Sequence, residues 1–128
     1  MDEATRARLT ESIEEFLTRY SAAFESGTRD DLEQLVHLPV VYIAEDEVHV
    51  RVRYPFDPVK MREATGFARG DVTKRIIHLE PTRAHVLIEG VRYRADGTAI
   101  ESIDSVYVLQ DRGDGWKVAA FSGIRADV

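Results

Sequence analysis

The side chains of this 128-residue sequence that could move protons or grip a ligand are few: four histidines, scattered hydroxyls and a strand-borne aspartate. Asp104 lies between Ile103 and Ser105-Val106, an expensive setting for a carboxylate unless it is protonated, paired or exposed at a pocket mouth. His37 stands at the end of a short helical stretch just ahead of the first strand-like run. Imidazole titrates near neutral pH, so His37 is a candidate general base, although a helix-end histidine bonded to the last carbonyls is the plainer reading. His37, His49, His78 and His85 show no HxxxH or HxH spacing, so no metal site is expected. Ser105 and Ser122 lack a nucleophile context, and no glycine-rich run could cradle a phosphate. Any chemistry would be acid–base work without a cofactor.

The elements that must position these groups are legible in the pattern. Leu9, Ile13, Phe16, Leu17, Tyr20, Ala23 and Phe24 recur at spacings of three and four, which predicts a long amphipathic helix starting at Asp2 or Thr5. Gly27 is expected to end it in the left-handed conformation, and Asp30 with Glu33 suggests a capping box for a short second helix that Pro39 stops. Val40 to Ala44 and Val48 to Val52 read as strands around a Glu45-Asp46-Glu47 turn. Asp57-Pro58 is a cap and first-turn pair for a third helix, with Val59, Met61, Ala64 and Phe67 as its buried side and Gly66 or Gly70 as its end. Strands are expected from Arg75 to Glu80, Arg83 to Arg94, Ile100 to Gln110 and Trp116 to Ile124, with Asp96-Gly97 as a hairpin signal.

Helices first and a long antiparallel meander afterwards give an α+β domain with the helices on one sheet face. In Ile100 to Gln110, Ile100, Ser102, Asp104, Val106 and Val108 share one face, while Glu101, Ile103, Ser105, Tyr107 and Leu109 share the other. Both faces are largely apolar, so the face away from the helices is expected to be covered too.

Composition fits one domain spanning 1-128, large enough for a single core. No cysteine is present, which removes disulfides and thiolate metal sites and agrees with a reducing, cytoplasmic setting. The N-terminus is too acidic for a secretory signal, and no apolar stretch approaches the roughly 20 residues of a membrane span. A net charge of −6 argues against nucleic-acid binding. The charge is uneven: residues 51 to 75 hold 7 basic and 3 acidic side chains, so Arg51, Arg53, Lys60, Arg62, Arg69, Lys74 and Arg75 could attract an anionic ligand.

The final hairpin, Tyr107 to Ser122 around Arg112-Gly-Asp-Gly115, completes a pattern begun by Phe16 to Gly27 and the acidic Arg29 to Leu35. Together they resemble the nuclear transport factor two-like superfamily, which includes ketosteroid isomerases and SnoaL-like polyketide cyclases. The resemblance implies a cone-shaped, strongly curved, mostly antiparallel sheet with three helices of the N-terminal half on its concave face, a homodimer, and a pocket for an amphipathic organic ligand. It implies isomerase, cyclase or lyase-type chemistry without a cofactor; a non-catalytic ligand-binding or dimerisation module is the alternative.

Arg19-Tyr20-Ser-Ala-Ala23 is similar to the isomerase motif that carries the oxyanion-hole tyrosine, which makes Tyr20 a candidate donor with Asp104 as its neutral carboxyl partner. Tyr20, His37, Tyr42 and Asp104 are the expected polar lining, with Phe16, Phe67 and Trp116 as apolar contacts. Trp116, opening the last strand, is also expected to pack in the core. The proton-shuttling carboxylate of the isomerases would align with Ala44, so ketosteroid isomerisation itself is not expected.

Overall fold

The computed structural model describes residues 1–125. Its elements are α1 (Glu3–Ser26), α2 (Arg29–Glu33), β1 (Val36–Ala44), β2 (Glu47–Arg51), α3 (Pro58–Thr65), β3 (Phe67–Leu79), β4 (Arg83–Arg94), β5 (Ala99–Asp111) and β6 (Trp116–Arg125). The strands form one six-stranded sheet in the order β2-β1-β6-β5-β4-β3. Every neighbouring pair is antiparallel except β1 and β6, which run parallel. Register shifts in four of these ladders bend the sheet around the helices, because an extra residue on one strand sharpens the local twist. The expected α+β fold, with a curved and mostly antiparallel sheet, is present.

Asp2 caps α1 by accepting the Thr5 backbone N–H at 2.7 Å. The buried stripe of α1 is Ile13, Phe16, Leu17 and Tyr20, and it packs into the concave sheet face against Val86, Leu109, Val118 and Phe121. Gly27 ends α1 with extended backbone (φ −99°), so the expected left-handed residue is absent there. Glycine serves a different purpose at this position: an added Cβ would lie 2.6 Å from the Ala23 carbonyl oxygen.

The capping box of α2 is built from Thr28 and Asp31, not from Asp30 and Glu33. Thr28 is the first residue after Gly27 with a side chain able to accept from the helix, so the cap sits two residues sooner than expected. Glu33 is thereby freed for a longer-range role. Pro39 does not stop α2. It lies within β1, inside the irregular stretch between Val36 and Val41, where a missing N–H costs the ladder least.

Asp57 caps α3 through Val59 and Lys60, and Gly66, at φ 74°, supplies its left-handed end. The expected buried side of α3 is corrected: Pro58 alone is buried on this helix, and Phe67 opens β3 instead. β3 begins eight residues before the expected Arg75, because Ala68 to Lys74 alternates too weakly to read as strand in isolation and is held by its pairing with β4. No helix among the described residues is long and apolar enough to cross a membrane.

Candidate functional site

Strand alternation aims Ile103, Ser105, Tyr107 and Leu109 of β5 at the helices, and across the register they meet Ile88, Val86 and Ala84 of β4 and Phe121 and Val118 of β6. Where α1, α3 and this face diverge, a cavity of about 330 Å³ opens. Its apolar wall consists of Phe24, Tyr42, Phe56, Met61, Ile103 and Phe121, and its polar groups come from Tyr54, Tyr107, Arg92, Glu101 and Ser105. A second, smaller cavity, of about 60 Å³, lies between α1 and β3 and includes Leu17, Tyr20, Phe67 and Ile88. Phe24, Arg92, Ile103 and Tyr107 form the partition common to both.

Three tyrosines carry hydroxyls into this region. The Tyr20 and Tyr54 hydroxyls hydrogen-bond to each other, and the Tyr107 ring stands edge-on to Tyr20 with centroids 5.5 Å apart. Burial pushes the Tyr20 hydroxyl well above the usual tyrosine range, and the neighbouring Tyr54 and Tyr107 add to the effect. Burial likewise raises Tyr54 and Tyr107. All three are therefore neutral at physiological pH and act as hydrogen-bond donors. The Tyr20–Tyr54 bond uses one of the pair's two hydroxyl protons, and the other remains for an acceptor.

Tyr54 is placed from outside the helices. Its backbone N–H donates to Glu33 at 2.9 Å, and Arg53 donates to the same carboxylate and to Asp30. The Arg53 and Tyr54 donors hold the Glu33 carboxyl below its ordinary range. Phe56 is held next to it, since its carbonyl accepts from Arg29 at 3.3 Å. The break in pattern at Tyr54-Pro55-Phe56 is thus an aromatic clamp anchored on α2. Its rings meet Phe121 at 6.1 Å and 6.0 Å.

On the opposite wall Arg92 donates to Glu101, and its guanidinium lies 4.9 Å from the Phe24 ring centroid. The pair is partly exposed, at 24% and 36% of the side-chain surface.

The sequence candidates fall into distinct places. Tyr42 borders the larger cavity, stacked on His49 and in contact with Phe121 at 5.0 Å. Tyr20 borders the smaller one, and its hydroxyl partner is Tyr54, not Asp104. Asp104 touches the rim of the larger cavity, yet alternation along β5 sets its side chain opposite Ile103 and Ser105, on the face paired with the exposed Glu89. The expected Tyr20–Asp104 pair is therefore replaced by a tyrosine pair. His37 belongs to β1, not to a helix end, and its Nε2–H donates to the Gln110 carbonyl at 2.9 Å, which commits it to holding strands together. Phe16 is fully buried in the core, and Trp116 donates to Ser12 Oγ at 3.0 Å from a buried position, so both support the fold instead of lining the larger cavity. Phe67 lines the smaller cavity against Phe24. Glu45 and Asp46 form the β1–β2 turn, and Ala44 stands opposite Gly123.

The basic segment is mostly occupied. Arg53 is paired with Asp30 and Glu33, Arg62 donates to the Phe24 and Gly27 carbonyls, and Arg69 lies 4.5 Å over the Tyr93 ring. The arginine that borders the larger cavity is Arg92, outside that segment. Sequence reading missed Tyr54, Tyr107, Arg92 and Glu101 as site residues. Alternation gave the face of Tyr107 and Glu101, but nothing local tied Arg92 to them.

Comparison with known proteins now has a site to bear on. The profile of a family described as NTF2-like protein (DUF6841) matches residues 56–125, more than half of the chain. The chain belongs to this NTF2-like family. Its fold agrees with solved NTF2-like structures: a protein of unknown function from Shewanella oneidensis superposes with a TM-score of 0.69 at 13% identity, covering 89% of this chain and 97% of the other. A putative scytalone dehydratase from Novosphingobium aromaticivorans gives 0.67 at 13% identity over 99% and 89% of the two chains. A Nostoc punctiforme protein of unknown function with a cystatin-like fold gives 0.66 at 10% identity over 92% and 90%. No curated protein sequence matches. In this NTF2-like chain the family match covers α3 through β6, whereas Tyr20, Tyr42 and Tyr54 come from residues ahead of it.

Proposed function

We propose that this NTF2-like protein binds an amphipathic organic molecule in the larger cavity and presents it to neutral tyrosine hydroxyls for cofactor-free acid–base chemistry of the isomerase, cyclase or lyase type. The observation that carries this reading is the conjunction of a ring-lined cavity with donors that burial keeps neutral, since an apolar wall with a few convergent polar groups is the general form of a small-molecule site. A hydroxyl kept neutral by burial stabilises negative charge on a substrate oxygen without taking on charge itself. Glu101 is the carboxylate on the same concave strand face, available to accept a proton from substrate. The putative dehydratase among the structural relatives bears a name for lyase-type chemistry, and the groups assembled here suit such a step.

The test is a fragment screen by ligand-observed NMR on wild type and Gly123→Leu. Gly123 borders the cavity, and an added Cβ there meets nothing within 4 Å, so leucine fills the space without crowding the fold. Fragments that bind wild type are expected to lose at least about tenfold in affinity, roughly 1.4 kcal/mol, on the variant. Binding that survives unchanged in a folded Gly123→Leu places the ligand elsewhere and overturns the reading.

A further inference from the structure

Arg92 stands where the two cavities meet, and its guanidinium is only half used. Nη1 donates to Glu101, and Cζ lies 4.9 Å from the Phe24 ring centroid and 6.0 Å from that of Phe67. Among the described residues Nε and Nη2 have no protein acceptor, neither is fully buried, and Arg92 borders both cavities. The two aromatic rings and the bond to Glu101 together restrict how the group can turn. What remains is a pre-oriented fork of the kind that matches a planar carboxylate with two parallel hydrogen bonds.

We propose that Arg92 is the specificity-determining residue of the cavity and that its free edge receives the carboxylate of an aromatic or alicyclic acid whose ring lies among Tyr42, Phe56 and Phe121. This rests on the cavity reading above and goes beyond it in naming the ligand class. Glu101 fits the assignment. When the site is empty it balances a cation that would otherwise be half-desolvated and alone, and when a carboxylate arrives it is a nearby like charge that sets a ceiling on affinity. Arg92 is partly buried, so attraction to it is screened by salt less than attraction to the exposed lysines and arginines of the basic segment.

The experiment titrates 2-naphthoate and its neutral isostere 2-naphthamide into wild type, Arg92→Gln, Arg92→Lys and Glu101→Gln, reading affinity by calorimetry and fold by circular dichroism. Wild type is expected to bind the acid at least about tenfold tighter than the amide. Arg92→Gln should reduce that ratio to near one while leaving amide binding in place, and Glu101→Gln should strengthen acid binding by removing the opposing charge. Equal affinity of wild type for acid and amide overturns the inference, as does a ratio that survives Arg92→Gln. Should Arg92→Gln fail to fold, Arg92→Lys decides: it keeps the charge and loses the fork, so a selectivity that persists undiminished overturns the bidentate assignment. If neither probe binds wild type the inference fails, while the cavity reading stands or falls separately on the Gly123→Leu screen.

Discussion

Tyr20, Tyr54 and Tyr107 form the densest group of polar atoms in an otherwise apolar interior, and their behaviour at high pH is a direct consequence. Each is held neutral by burial, so its folded pKa lies above the unfolded value of about 10. The stabilisation tied to these groups is complete below pH 10 and is lost as the pH rises beyond it, because the unfolded chain releases protons that the folded chain retains. In an ultraviolet titration, three of the five tyrosines are expected to ionise only together with loss of folded structure. Five smooth ionisations with the circular dichroism unchanged would contradict the buried network. The Arg19-Tyr20-Ser-Ala-Ala23 context was enough to single out Tyr20. Its partner was not legible, because Tyr54 is 34 residues away and joins it only through tertiary packing. Asp104 was misassigned for a related reason: apolar neighbours in sequence say that a strand is buried, but not which face a given residue takes.

At the scale of elements, α2 is short, yet it governs the site through Glu33. Its carboxylate accepts from the Tyr54 backbone at 2.9 Å and from Arg53, and so pins the Tyr54–Phe56 clamp to the helix end. Glu33→Gln keeps an oxygen that can accept the Tyr54 N–H but removes the charge that strengthens this bond, and is expected to cost about 1 kcal/mol at neutral pH, since the exposed Arg53 pair adds little. The depressed pKa sets the pH dependence. Glu33 stabilises the fold above the unfolded glutamate value of about 4.3 and ceases to do so as the pH falls through its lower folded value. Denaturant unfolding of wild type and variant should therefore differ at pH 7 and converge in acid, and a constant difference across that range would refute the assignment. The periodicity of α1, the Asp57-Pro58 start of α3 and the β4 to β6 meander were all readable because each is specified by neighbours in sequence. Pro39 within β1 and the early start of β3 were not, since both depend on what the partner strand supplies.

For the whole molecule, the sheet face away from the helices is the open question. Val50, Val41, Ala120, Val108, His85 and His78 are paired in register, as are Val48, Ile43, Ser122, Val106 and Leu87, giving two mostly apolar rows across the strands. Val48 and Val50 remain 66% and 59% exposed in the single chain. The two-faced apolar pattern of β5 leads to the same expectation as these rows: a second copy covers this face and buries on the order of 2,000 Å² in total. Light scattering should report twice the monomer mass at micromolar concentration, and Val50→Glu should shift the protein toward monomer. A wild-type monomer under those conditions removes the expectation.

The parallel seam between β1 and β6 has a consequence in time. Tyr42 is paired with Phe121 across more than half the chain, and the Leu35 carbonyl already receives the Val118 N–H at 3.0 Å. A growing chain displays β1 long before its neighbour exists, so one flank of the ring-lined cavity stays open until β6 emerges and docks. Closing so long a loop is slow relative to forming the β4–β5 hairpin. The wall bearing Tyr42 and Phe121 is thus the last part of the cavity to be built, and the cavity cannot be complete before the fold is finished.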